Sequence, residues 1–325
     1  MSLPFRTRFL LFLICALAVA LPASAQQKPS EDDTLKLETQ VVTVPVMVTD
    51  KKKNFITDLK SSDFTIYEDG KPQQIAFFST ELQELVSRPL AVMFLLDASG
   101  STAQTIKQQR VATQAFLQQL SDQQLVAIAR FSDQPELMTD FTTDKQKIAG
   151  TFAEHEVIGG ETAIFDALDF AVDRLSSLPG KDALRRKVVI LITDGLDSAS
   201  HKKYNDVCKK AQDAEVSFYV IHIPIYWPGP SGHLEPRPTT PGFNSVAELT
   251  GGELFTAGDV QTALSVSQYV DLSPIFQKII SELRSQYYIS YYPPNPKDGH
   301  YHRISLTVQR KDARPRLLRS GYLAK

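Results

Sequence analysis

Residues 90–101 read Leu90-Ala91-Val92-Met93-Phe94-Leu95-Leu96-Asp97-Ala98-Ser99-Gly100-Ser101. Seven consecutive apolar residues mark a strand buried on both faces, the situation of a central strand in a parallel sheet covered by helices. The run stops at Asp, Ser and Gly, which build turns rather than strands. Outward from this strand the pattern repeats. Val126–Phe131, Lys187–Thr193, Val216–Ile223 and Glu253–Phe255 are further β-prone runs. Between them lie helical stripes: Ala112, Phe116 and Leu120; then Ile164, Leu168, Val172 and Leu175; then a polar helix near 203–214. Phe243–Thr250 is a short helix closed by Gly251-Gly252. Strand and helix in alternation predict an α/β fold, a doubly wound, mostly parallel sheet over residues 88–258.

The flanks are β-rich. In 36–85, Val42, Val44, Val46 and Val48 share one face of a strand. Phe64–Tyr67 and Gln74–Phe78 bracket the turn Glu68-Asp69-Gly70-Lys71, and Asp-Gly between β-prone runs predicts a hairpin. In 259–325 a helix near 273–285 precedes a strand at 287–292, an alternating strand through Ile304, Leu306 and Val308, and a last run at 317–322. Neither flank buries both faces of a sheet alone. The two ends are therefore expected to form one small β-sandwich-like domain around the central sheet. Alternation puts Tyr288 and Tyr292 on one packed face. Tyr226–Pro241 is a Pro/Gly-rich loop holding the single tryptophan, Trp227, and is the candidate partner-binding loop.

The chain has 325 residues, 42% hydrophobic and 22% charged, which excludes disordered and collagen-like classes. A formal charge of -2 gives no electrostatic reason to expect nucleic acid. Residues 1–25 carry Arg6 and Arg8, an apolar run Phe9–Leu21 and Ala23-Ser24-Ala25, the make-up of a signal peptide. Residues 26–35 read as a flexible leader. The expectation is an exported protein, secreted or periplasmic, with no integral membrane segment after cleavage. Cys208 then stands alone and reads as a small buried hydrophobe, with an intermolecular disulfide as the rival reading.

The polar chemistry clusters just after strands. Asp97-Ala98-Ser99-Gly100-Ser101 follows the first run, Gly159-Gly160-Glu161-Thr162 opens the 164–175 helix, and Thr193-Asp194-Gly195-Leu196-Asp197 ends another strand. Loops at the carboxyl ends of parallel strands converge on the ligand crevice. Hydroxyl and carboxylate oxygens are hard ligands, suited to Mg²⁺ or Ca²⁺. Taken singly, Ser99 or Thr162 is an N-cap and Asp194 a turn residue; their joint occurrence favours a metal. Enzyme signatures fail: Ser99 has Asp97 where a nucleophile elbow needs Gly, and there is no phosphate-cradling loop. A non-enzymatic protein is expected. His300-Tyr301-His302 reads as a solvated hairpin rather than a Zn site, His222 as a satisfied core residue, and Arg310, Lys311, Arg314, Arg316 and Arg319 as a solvated sheet edge.

DASGS, GGET and TDGLD, in this order and spacing, resemble the metal-ion-dependent adhesion site of von Willebrand factor A domains, and the flanks resemble a bacterial family of exported proteins related to them. The resemblance implies that Ser99, Ser101 and Thr162 supply hydroxyl ligands and that Asp97 and Asp194 hold the ion directly or through water. The implied ion is Mg²⁺, with Ca²⁺ or Mn²⁺ as alternatives. The implied partner is a protein that offers an Asp or Glu to the open coordination place. Glu161, beside Thr162, and Trp227 are the candidate partner-binding residues. The alternative is a structural or assembly subunit of an envelope complex whose metal only stabilises the fold.

Overall fold

In the computed structural model the described residues are 41–80, 89–102, 106, 116–117, 122–230, 232–264 and 270–324. The expected signal peptide and leader, and the helix-stripe residues Ala112 and Leu120, lie outside them. The chain begins with β1 (Val42–Thr49), β2 (Phe64–Glu68), β3 (Lys71–Gln73) and β4 (Phe77–Thr80). The α/β part follows: β5 (Leu90–Asp97), β6 (Leu125–Phe131), β7 (Pro135–Thr142), α1 (Lys145–Glu154), α2 (Ile164–Ser176), β8 (Arg186–Thr193), α3 (Tyr204–Asp213) and β9 (Val216–His222). Then come β10 (Tyr226–Pro228), β11 (Leu234–Pro236), α4 (Val246–Leu249), β12 (Leu254–Thr256), α5 (Val260–Leu264) and α6 (Ser273–Arg284). The chain closes with β13 (Gln286–Tyr291), β14 (Tyr301–Val308), β15 (Arg314–Leu317) and β16 (Gly321–Leu323).

The central sheet has the order β12-β9-β8-β5-β6-β7, parallel except for the antiparallel edge strand β7. Every residue of β5 is buried. Because side chains alternate across a strand, Leu90, Val92, Phe94 and Leu96 enter one core with Phe116, Phe152 and Phe276. Ala91, Met93 and Leu95 enter the other with Leu168, Val172, Val207 and Phe243. Burial of each larger apolar side chain contributes about 1.5–3 kcal/mol, so a continuous apolar run settles only with helices on both faces. The order also creates a switch point: the chain leaves β5 toward β6 and later returns on its other side as β8. The crevice above such a point is where open α/β sheets bind ligands.

The two chain ends meet in two antiparallel four-stranded sheets, β15-β1-β13-β4 and β16-β14-β2-β3. Val42, Val44, Val46 and Val48 point into a shared core with Phe64, Ile66, Tyr287, Ile289, Tyr291, Ile304 and Tyr322. The flanking β-sandwich thus draws on both ends of the sequence, as expected.

Several details differ from the sequence reading. The second hairpin strand does not run through 74–78. It stops at Gln73, and the chain crosses to the opposite sheet, where Phe77–Thr80 pairs with β13. Tyr288 is buried but Tyr292 is 48% exposed, beyond the end of β13, where it meets the edge of the Phe77 ring. The tyrosines that face the sandwich core are Tyr287 and Tyr291. The arginine-rich tail is only partly solvated: Arg316 binds buried Glu282 and the Gly252 carbonyl, and Arg319 pairs with Glu215. Strand β7 and helix α1 had no sequence expectation. The half-exposed β7 lacks a regular alternation, although the Asp144 carboxylate caps α1 through the N–H groups of Gln146 and Lys147. No helix among the described residues is long and apolar enough to cross a membrane.

Candidate functional site

Asp97 ends β5 and Asp194 lies one residue beyond β8, the neighbouring parallel strand. Both are buried, as are Ser99 and Thr162; Ser101 and Glu161 are exposed. Three loops interlock here. The N–H of Ala98 donates to the Phe131 carbonyl, and those of Ile158 and Gly159 donate to the Ala98 carbonyl. The N–H of Ala163 donates to the Ser132 carbonyl, and those of Ser198 and Ala199 donate to the Thr162 carbonyl. Backbone hydrogen bonds therefore tie the DASGS segment, the GGET segment and the loop that continues from TDGLD to one another.

Side chains refine the arrangement. One Asp97 oxygen accepts the Thr193 hydroxyl at 2.6 Å and the other the Ser99 N–H at 3.0 Å. The Ser99 and Ser101 hydroxyl oxygens sit 3.1 Å apart. The Leu196 N–H donates to one Asp194 oxygen at 3.0 Å, whereas the other, Oδ2, is buried with no hydrogen-bond partner among the described residues. An unsatisfied buried carboxylate oxygen costs stability unless a cation or donor meets it. Burial pushes the Asp97 carboxyl from 3.8 up to about 6; its hydrogen bonds oppose the rise and the nearby Asp194 charge adds to it. Two acidic side chains with buried oxygens and the Ser99–Ser101 hydroxyl pair form a hard-oxygen donor set that fits a divalent cation.

Of the competing local roles, Asp194 does close a turn through the Leu196 N–H, but Thr162 does not cap the helix that follows it. Helix α2 has Ala163 at its N-cap, with no side-chain cap. Its exposed N–H groups are met from the next loop: Phe165 donates to Asp197 and Ser200, and Asp166 donates to Ser200. Thr162 is thus not the cap of that helix. Asp197 holds the loop in place and was not a candidate on sequence, although it stands in the TDGLD stretch. Thr193, which braces Asp97, was missed for the same reason: a threonine at a strand end looks ordinary.

Two glycines permit the close approach. Gly160 has φ +85° and a Cβ there would lie 2.9 Å from Asp133 Oδ1; Gly195 has φ +80° and its Cβ would lie 2.8 Å from the Phe243 ring and the Thr239 methyl. His222 is a buried, satisfied core residue, and its Nε2 meets the Asp194 carbonyl at 2.9 Å; burial lowers its basicity. The Trp227 stretch is not irregular throughout: β10 and β11 form a two-stranded ribbon, with Trp227 opposite Glu235 and 48% exposed. The far end of the loop is anchored at the site. Thr240 donates its N–H to the Gly195 carbonyl and accepts the Asp197 N–H at 2.7 Å. Cys208 is buried on α3 and its thiol is pushed up to about 11 by burial.

The family model of the von Willebrand factor type A domain matches residues 92–196, which contain all three loops. This chain carries a von Willebrand factor type A domain. Domains of this family commonly mediate metal-dependent protein interactions and are generally non-enzymatic. Solved structures with similarity include an aerotolerance-related membrane protein from Bacteroides fragilis, 14% identical over 60% of this chain and 98% of that one, with a TM-score of 0.46. A von Willebrand factor type A protein from Catenulispora acidiphila is 13% identical, over 89% of this chain and 74% of that one, with a TM-score of 0.47. Proximal thread matrix protein 1 from the mussel byssus, with zinc in its metal-ion-dependent adhesion site motif, is 19% identical over 63% and 48%, with a TM-score of 0.47. A search of curated proteins gives no significant match.

Proposed function

We propose that the protein is an exported binding module that captures an acidic residue of a protein partner through a Mg²⁺ ion at the β5 and β8 ends. The observation that carries this reading is the buried pair Asp97 and Asp194 at the ends of neighbouring strands, with Asp194 Oδ2 left without a hydrogen-bond partner among the described residues. Ser99, Ser101 and Thr162 would offer hydroxyls, and Asp97 and Asp194 would hold the ion directly or through water. Bound there, the ion supplies an electrophilic coordination place for a partner carboxylate. The chain's own part is to keep that place dry and fixed. Thr193 orients Asp97, Asp197 fixes the loop that meets Thr162, and Gly160 and Gly195 let the backbone close in. Glu161 stands exposed beside Thr162 and would repel a second acid, so it contributes to partner choice. Trp227, on a ribbon whose base is tied to Gly195 and Asp197, offers a flat apolar contact. Export to the periplasm or medium belongs to this reading and rests on the composition of residues 1–25.

Calorimetric titration of Mg²⁺ into the wild type and Asp97→Ala tests it. Binding to the wild type alone, strengthened by added glutamate or acetate, is the expected result. Metal binding with no effect of carboxylate, and a change in melting temperature only, would favour an assembly subunit whose metal stabilises the fold. Unfolding of Asp97→Ala would defeat the separation of site from scaffold.

A further inference from the structure

A second group of ligating side chains lies far along the sequence from the von Willebrand factor A motif. The Asp-Gly turn between β2 and β3 presents Glu68 and Asp69 to His302 on β14, and one ligand atom from each of the three lies within 4.8 Å of the others. We propose that these three residues form a second divalent-metal site, suited to Zn²⁺, that staples the N-terminal turn to the C-terminal strand.

The donor geometry fits. Nδ1 is 2.8 Å from Asp69 Oδ2 and 3.6 Å from Glu68 Oε1. Three donors of a tetrahedron centred about 2.1 Å from each stand about 3.4 Å apart, so the observed distances bracket the required edge. Three protein ligands leave a fourth place for water, the coordination of an open Zn²⁺ site. Each donor is also held by other contacts. His302 Nε2 lies 3.1 Å from Asp298 Oδ1, so an N–H there would donate to the carboxylate and leave Nδ1 free for a metal. This is the usual support of a metal-binding imidazole. The ring also stacks on Tyr322, with centroids 5.3 Å apart. Glu68 is 3% exposed, and its Oε2 accepts the hydroxyls of Tyr291 at 2.6 Å and Tyr322 at 3.0 Å. That leaves Oε1 as the oxygen turned toward His302. Asp69 accepts the Arg303 N–H through Oδ1 and offers Oδ2 to the ring. Its half-exposed side chain provides the entry path for an ion.

Charge points the same way. Glu68, Asp69 and Asp298 lie around His302, and His300 Nδ1 stands 3.5 Å from the Asp298 oxygen on its outer side, so three carboxylates meet two imidazoles. Arg319, whose guanidinium lies over the Tyr322 ring at 5.8 Å, is paired with Glu215. A divalent ion supplies the missing positive charge and displaces the imidazole proton, so each ion bound releases one proton from the ring form that carries it.

The test uses the full chain carrying Asp97→Ala, so that the β5-end site does not contribute and its success or failure is read separately. Zn²⁺ is titrated by calorimetry, with Co²⁺ absorption as a second readout. The expected result is one equivalent of Zn²⁺ and a four-coordinate Co²⁺ spectrum. Adding Asp69→Asn, an exposed turn position that keeps the Arg303 bond, weakens binding at least tenfold. Asp298→Asn weakens it about tenfold through the ring, and His233→Ala, on a separate loop, changes nothing. Circular dichroism verifies that each variant is folded. Absence of Zn²⁺ binding in the Asp97→Ala chain overturns the proposal, as does undiminished binding after Asp69→Asn.

Discussion

Replacing Asp97 by Asn removes a charge and leaves the shape of the β5 end unchanged. The carboxylate is fully buried, and burial lifts its pKa from 3.8 to about 6. At about 1.36 kcal/mol per pH unit, keeping it ionised in the metal-free fold costs on the order of 3 kcal/mol. The folded state holds this proton more tightly than the unfolded chain does. The stabilisation is therefore complete below about pH 4 and is lost as pH rises through about 6. Asparagine avoids the cost, but of the Thr193 hydroxyl and the Ser99 N–H one then faces a neutral oxygen and the other an amide nitrogen that cannot accept, which takes back about 1–2 kcal/mol. With chelator at pH 7.5, Asp97→Asn is expected to be more stable than the wild type by about 1–2 kcal/mol. At pH 4 the advantage disappears. Saturating Mg²⁺ reverses the order, because only the wild type gains binding energy. Urea unfolding of both proteins across pH 4–8, with and without Mg²⁺, measures the difference and cancels the other titrating groups. A variant less stable than the wild type in chelator, by an amount that does not change with pH, would refute the reasoning.

Three further outcomes follow from contacts around the site and the sandwich. Gly195→Ala places a Cβ 2.8 Å from Phe243 and Thr239 at φ +80°; a loss of about 2–4 kcal/mol and weaker Mg²⁺ binding are expected by thermal melting and calorimetry. Asp197→Ala removes the carboxylate that accepts the Phe165 N–H and is expected to cost about 1–2 kcal/mol. It should lower Mg²⁺ affinity without changing its stoichiometry. Arg316→Ala strands buried Glu282 and is expected to cost on the order of 3 kcal/mol, much of it recovered in a double variant with Glu282→Gln; a double variant no better than the single one would contradict this.

The central sheet was legible because its strands are buried on both faces. Leu90–Leu96 and Val188–Ile192 have no polar residue to place in water, so only a helix-covered parallel sheet accommodates them. The half-exposed β7 lacks that signal and was invisible. The hairpin at Asp69-Gly70 was legible from its turn, but the length of its second strand was not. Whether Gln74–Phe78 continues the hairpin or crosses to the other sheet depends on a partner, β13, that is some 200 residues away. Tyr288 and Tyr292 show the same limit: alternation holds only while the strand lasts, and β13 ends at Tyr291.

At the site, residue type and order put forward Asp97, Ser99, Ser101, Thr162 and Asp194 as candidates, because hard-oxygen side chains after buried strands are unusual in combination. What surrounds them needed the fold. Thr193 reaches Asp97 only because β5 and β8 are neighbours, and Asp197 meets α2 only because the loop after β8 folds back on it. His302 shows the reverse case. On sequence it was one of two histidines in a polar turn, yet pairing of β14 with β2 buries it against Glu68 and Asp69. Sequence determined which segments are strands and which oxygens are ligand-like, since both are local properties of side-chain polarity and spacing. Tertiary structure alone decided which distant residues share a space, because that depends on strand order and register, to which local pattern is blind.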